Sequence, residues 1–204
     1  LCFRALLNPG DEVLIPEPCF VCYEPLATMA GGVPVPVVTR VEDEFRLTAE
    51  ALRAAITPRT KLLVLPFPNN PTGAIMERKD LEAIAEVLRD TNIIVLSDEI
   101  YAELTYGGRH MSIANIPDMY ERTLVVNGFS KAYAMTGWRM GYLCGPEALI
   151  KQMLKIHQYA IMCAPTTSQY AAVEALRDGD GDIEMMRKDY DYRRRFLLEK
   201  LRGA

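Results

Sequence analysis

Hydrophobic residues in this chain fall into short unbroken runs, separated by longer stretches in which they recur every three or four positions. The runs are Glu12-Val13-Leu14-Ile15-Pro16, Lys61-Leu62-Leu63-Val64-Leu65, Ile93-Ile94-Val95-Leu96 and Thr123-Leu124-Val125-Val126-Asn127. Runs this short, without polar alternation, predict strands buried on both faces. Val33 to Val38 is also strand-like, but Pro34 and Pro36 cannot donate to a ladder, which places it at a sheet edge. Between the runs the period changes. Residues 77–89 put Leu81, Ile84, Ala85 and Leu88 on one helical face. Thr48 stands as N-cap before a helix over 49–56, with Glu50 in its first turn. Residues 1–7 read as a helix ended by the turn Asn8-Pro9-Gly10-Asp11, and 21–30 as a helix stopped by Gly31-Gly32. Strands alternating with crossovers long enough for helices predict a largely parallel sheet covered on both faces.

Three helices in series are expected at the carboxyl end, over 146–160, 165–177 and 183–201. The last places Arg193, Arg194 and Arg195 outside and Phe196, Leu197 and Leu201 inside. Asp178-Gly179-Asp180-Gly181 is the one hinge candidate, dividing a sheet domain, 1–178, from a helix, 179–204, that leads out of it. The chain opens without an initiator methionine and closes on a helix barely finished, so it reads as a segment of a longer protein.

Composition narrows the function. Half of the 204 residues are hydrophobic, enough for one substantial core, and the formal net charge is −4. Mild acidity gives no electrostatic reason to expect nucleic acid or an anionic membrane as partner. No apolar run approaches the ~20 residues that span a bilayer, and no secretory signal is visible, so a cytoplasmic protein is expected. The five cysteines are scattered among apolar residues and read as buried, reduced thiols. Cys19-x-x-Cys22 has no second pair or histidine cluster beside it, so no metal site is expected.

In open α/β sheets ligands lie at the carboxyl ends of the strands. Three such ends carry polar residues here: Asn70 after 61–65, Asp98 and Tyr101 after 93–96, and Lys131 after 123–127. Asp98 follows four aliphatic residues, so its carboxylate leaves the core and needs a partner; a pyridinium nitrogen would serve. Lys131 is delivered by a buried strand, and burial disfavours an ammonium, which suits an amine that must condense with an aldehyde. Arg139, eight positions later, offers a permanently charged planar fork suited to phosphate. Lysine plus phosphate-binding arginine is the minimum equipment for holding pyridoxal 5′-phosphate (PLP).

The stretch Gly128-Phe129-Ser130-Lys131-Ala132-Tyr133-Ala134-Met135-Thr136-Gly137-Trp138-Arg139-Met140-Gly141 resembles the lysine signature of the class I/II PLP-dependent aminotransferases. Asn69-Asn70-Pro71-Thr72-Gly73 is similar to that family's Asn-Pro-x-Gly loop, and Asp98-Glu99-Ile100-Tyr101 to its Asp-x-x-Tyr. The resemblance implies a fold type I large domain: an α/β fold with a mostly parallel mixed sheet flanked by helices, followed by the start of a carboxyl-terminal small domain. It implies Lys131 as the Schiff-base lysine and proton carrier, with Asp98 and Tyr101 as further catalytic residues. Asp98 would pair the ring nitrogen, while Asn70 and Tyr101 would donate to the ring oxygen. Arg139 and Ser130 would hold the phosphate, and Phe20 would stack on the ring, an ordinary core aromatic being the alternative for that position. Amino acids and 2-oxo acids would be the substrates and a homodimer the working form.

A PLP-dependent C–S lyase of the same fold and a non-enzymatic regulatory domain are the rival readings. Gly128 departs from the family's frequent serine, which removes one phosphate hydroxyl. The family's amino-terminal Gly-rich loop and carboxyl-terminal substrate arginine have no counterpart in these residues.

Overall fold

Alternate residues of the central strands feed two different cores, and this pleat explains why the middle of each strand is apolar on both faces. The computed structural model describes residues 1–203. Six strands, β1 (Glu12–Glu17), β2 (Val33–Val38), β3 (Thr60–Leu65), β4 (Ile94–Asp98), β5 (Thr123–Gly128) and β6 (Gly141–Cys144), form one sheet in the order β2-β1-β3-β4-β5-β6. The ladders β1–β2, β1–β3, β3–β4 and β4–β5 are all parallel. Proline-rich β2 lies at an edge, where its missing N–H donors are tolerated. The helices are α1 (Cys2–Leu6), α2 (Tyr23–Met29), α3 (Ala49–Ala55), α4 (Arg78–Leu88), α5 (Phe129–Ala132), α6 (Glu147–Ala160), α7 (Thr166–Asp178) and α8 (Asp180–Arg202).

The described chain divides into two compact units. The first comprises 1–99, 111–127 and 142–163. On one face of its sheet Leu14, Leu63, Leu65 and Val95 pack with Leu52 of α3 and with Leu81, Ile84 and Leu88 of α4. On the other, Val13, Ile15, Leu62, Val64, Leu96 and Leu124 pack with Phe3 of α1, Tyr23 and Ala27 of α2 and Met153 of α6. Each fully buried aliphatic side chain contributes on the order of 1.5–3 kcal/mol. A one-residue register slip in β3 would exchange the two sets, so the pleat pins the register. Helix starts follow local chemistry: the Thr48 hydroxyl accepts from Ala51 N at 3.2 Å, and Glu77 and Asp80 form a reciprocal capping box at α4.

The second unit comprises 100–110, 128–141 and 164–204. Its small core is Phe129, Met135 and Ala172, with Tyr133 and Ala175 against it. Near the start of α8, Ile183 is buried, the Arg187 guanidinium donates to Thr105 O, and the Arg194 guanidinium lies 5.3 Å from the Tyr106 ring centroid. Phe196, Leu197 and Leu201, expected inside, are exposed instead, at 48, 57 and 73 %. The contacts that seat α8 come from its first four turns, so its last turns carry an uncovered apolar flank. The corner between α7 and α8 is a single residue, Gly179, where a Cβ would come within 2.4 Å of Ala175 O and 2.9 Å of the Tyr133 ring.

The cysteines differ from expectation. All five are free thiols, but Cys2, Cys19 and Cys22 are only half-buried, and Cys144 and Cys163 are exposed. The apolar neighbours of Cys144 in sequence lie on β6, where Gly141, Tyr142 and Cys144 itself are exposed. Burial raises the Cys19 thiol to about 11 and raises Cys22 as well, which keeps both protonated and unreactive near neutral pH.

One buried charge supports the β1 end of the sheet. The Glu12 carboxylate, 3 % exposed, accepts from the hydroxyls of Thr57 and Thr60 and from the Arg59 guanidinium. The Thr57 hydrogen bond, followed by Arg59, holds its carboxyl below the ordinary value of 4.5. A folded-state value below the unfolded one gives stability that is present above pH 4.5 and is lost as pH falls through the folded value. Glu12→Gln is therefore expected to lower Tm at neutral pH and to flatten the fall of Tm below pH 4.5, as read by thermal melts across pH. Parallel pH dependence in both proteins would remove this role.

Candidate active site

The polar residues at the strand ends fall into two groups, one in each compact unit. In the first unit, Asp98 is the last residue of β4 and half-buried. Its Oδ2 accepts from the Tyr23 hydroxyl at 2.8 Å. Tyr23, at the start of α2, is 7 % exposed; burial, then the Asp98 charge, raises its phenol far above the ordinary range. The phenol is thus always the donor and the carboxylate the acceptor. The loop after β3 is set by Asn69: its side-chain oxygen accepts from Thr72 N at 3.2 Å and from the Thr72 hydroxyl at 2.9 Å. Its backbone exchanges bonds with Ala74 O and with Gly73, whose φ of 73° suits glycine. Asn69 therefore takes the turn-forming role, and its neighbour Asn70 is half-buried at the loop's tip. Phe20, between β1 and α2, is 49 % exposed, so it is not packed in the core of the described residues.

In the second unit, α5 follows directly on β5 and presents Lys131 in its only turn. The Lys131 ammonium lies 5.8 Å from the centroid of the Tyr101 ring, within cation–π range. The segment beyond is strapped by hydrogen bonds. The Thr136 hydroxyl donates to Ser130 O at 2.9 Å, the Ser168 hydroxyl of α7 to Trp138 O at 2.7 Å, and Phe129 N to Met140 O. Arg139 closes this segment with a left-handed backbone, φ 54° and ψ 46°, and its guanidinium donates to Thr136 O at 2.9 Å while staying exposed. A non-glycine residue held there costs on the order of 1 kcal/mol or more and persists because its surroundings fix it. At Gly128 an added Cβ would lie 3.1 Å from Gly141 Cα and Met140 O, a tight fit that asks the neighbouring backbone to give by a few tenths of an ångström.

Lys131 is thus brought to Tyr101, Ser130 is tied to Arg139 through Thr136, and Asp98 is joined to Tyr23. Tyr23, Asn69, Thr136 and Ser168 were not among the residues singled out from sequence. Asn69 had a signal in its Asn-Pro-x-Gly context; Tyr23 and Ser168 reach their partners across 75 and 30 residues, and nothing local marks them. Among the described residues no group of three or more His, Cys, Asp or Glu could hold a metal ion, and no helix is long and apolar enough to cross a membrane.

Sheet and site together define the α/β architecture of a fold type I transferase. A family model for aminotransferase class I and II matches residues 1–204, and the chain belongs to that family. It is 51 % identical over 201 residues to the putative aminotransferase YugH of Bacillus subtilis, covering 98 % of this chain and 52 % of that protein. It is 46 % identical over 200 residues to an aspartate aminotransferase of Pyrococcus abyssi, covering 97 % of this chain and 51 % of the relative. The solved aspartate aminotransferase of Thermus thermophilus with maleate superposes with a TM-score of 0.95 at 44 % identity, over 99 % of this chain and 53 % of that one. The chain spans about half the length of the relatives it matches.

Proposed function

We propose that the full-length protein is a PLP-dependent aminotransferase that moves an amino group from an L-amino acid to a 2-oxo acid. The observation that supports this reading most is the Lys131 amine seated over the Tyr101 ring in a chain of this family. The donor set fits the cofactor group by group. Lys131 offers an amine for its aldehyde, and Asp98 a carboxylate for its ring nitrogen. Arg139 offers an exposed guanidinium for the phosphate beside Ser130, and Phe20 an exposed aromatic face for the ring.

When bound, PLP supplies an electron sink for charge developing at the substrate Cα. The chain's own residues do the rest. Lys131 Nζ would hold the cofactor at its aldehyde carbon and, as a free amine, would take and return the proton at the substrate Cα. Asp98 would keep the ring nitrogen protonated, while Asn70 and Tyr101 would donate to the ring oxygen. On this reading residues 1–178 belong to the cofactor-binding large domain, 179–204 lead towards a small domain, and the enzyme is a cytoplasmic homodimer. The relatives' names span aspartate, aromatic and diaminopimelate substrates, so the donor stays open within that set. The test is 2-oxo acid formation by the full-length protein from aspartate, glutamate and aromatic amino acids with 2-oxoglutarate. Pyruvate and ammonia released from a sulfur amino acid without added 2-oxo acid would instead identify a lyase.

A further inference from the structure

We infer that Tyr23 is a positioning residue for the proposed reaction: its hydroxyl holds the Asp98 carboxylate oriented and ionised, so that Asp98 can keep the ring nitrogen of the cofactor protonated. The inference rests on the aminotransferase reading of Asp98. Two observations support it. The hydrogen bond from Tyr23 to Asp98 Oδ2 is 2.8 Å long, a well-formed O–H···O contact. Tyr23 itself is anchored, because its ring is packed in the core cluster with Val13, Ile15, Leu62, Val64 and Leu96. A rotamer locked by packing on one element therefore fixes a carboxylate at the end of a strand 75 residues away.

The consequences follow from acceptor chemistry. A hydrogen bond donated to a carboxylate stabilises its charged form over its neutral form. The phenol has no lower-energy alternative here: ionising it would place two negative groups side by side in a desolvated site, and burial together with the Asp98 charge pushes that ionisation far out of range. Tyr23 thus acts in one direction only, as a donor. Removing the hydroxyl while keeping the ring leaves the packing in place and loosens one oxygen of the carboxylate. A hydrogen bond to a charged group has an effect of about tenfold or more in an equilibrium or rate.

The experiment is a double-mutant cycle in the full-length protein with Tyr23→Phe, Asp98→Asn and the pair. The readouts are the apparent Kd for PLP, measured by absorbance titration of apoprotein, and the separate kcat and KM of the loaded enzyme. Tyr23→Phe is expected to weaken PLP binding and to lower kcat, each about tenfold, with KM for the amino acid unchanged. In the Asp98→Asn background the same substitution is expected to change neither, since it acts through the carboxylate. Melting curves of the apoproteins verify that the ring still packs. An equal effect of Tyr23→Phe with and without the Asp98 carboxylate, or no effect at all in a protein that binds PLP, overturns the inference alone. Failure of the unsubstituted protein to bind PLP overturns the functional reading, and the inference with it.

Discussion

Lys131→Ala, made in the full-length protein, is expected to lower transamination by about four orders of magnitude and to abolish covalent capture of PLP by borohydride. The size of the effect follows from two roles lost together. Without the amine, no residue in the stretch 128–141 can bind the aldehyde carbon, because Lys131 is the one lysine in it. The proton at the substrate Cα also loses its carrier, and positioned general acid–base groups alone contribute 10²–10⁴-fold. Tyr101 is not a substitute, since it presents its ring to the ammonium, 5.8 Å from the ring centroid, and offers no amine. Binding should persist, weakened, through Asp98 and Arg139. The measurement is peptide mapping after reduction: label on the peptide containing Lys131 in the parent and none in the variant. Label on another lysine would displace Lys131 from the centre of the reaction.

Asp98→Asn is expected to slow turnover about a thousandfold while weakening PLP binding far less. A carboxylate about 4 Å from a pyridinium nitrogen, at an effective dielectric near 20, interacts by roughly 4 kcal/mol. Losing that interaction in the transition state corresponds to about a thousandfold in rate. Asparagine keeps the volume and one acceptor oxygen, so the Tyr23 hydroxyl retains a partner and the fold is spared an unpaired buried donor. The difference between the two proteins is thus charge at one atom. Rapid-mixing measurement of the first half-reaction checks it. A variant with near-normal turnover would mean that the carboxylate serves something other than the ring nitrogen.

What was legible in the sequence was whatever depends on neighbours in the chain. Unbroken apolar runs identified β1, β3, β4 and β5, because a strand fed by cores on both faces has no place for polar alternation. Thr48 as a cap could be read from its position before an amphipathic stretch, and the prolines of β2 assigned it to an edge. Reading failed where the deciding partner is distant. Nothing near Tyr23 in the chain marks it, and its hydroxyl acquires meaning only when β4 brings Asp98 beside α2. The apolar positions on the last turns of α8 have the spacing of an inward face, yet spacing says nothing about whether another element covers them. The cysteines were misjudged for a related reason: apolar neighbours in sequence do not bury a thiol that faces outward.

The contact between Gly128 and the Gly141 backbone sets a limit on engineering. Replacing a glycine by alanine commonly raises thermostability by restricting the unfolded chain. Here the native chain brings main chain against main chain, and an added carbon would lie 3.1 Å from two backbone atoms, so the backbone itself must give to accept it. Directed evolution for heat resistance would be expected to gain less at position 128 than at glycines in open space, such as Gly108 and Gly181. The backbone at position 128 lies three residues ahead of Lys131. The same inflexibility that resists improvement gives the amine a fixed starting point, defined by the main chain rather than by rotamers.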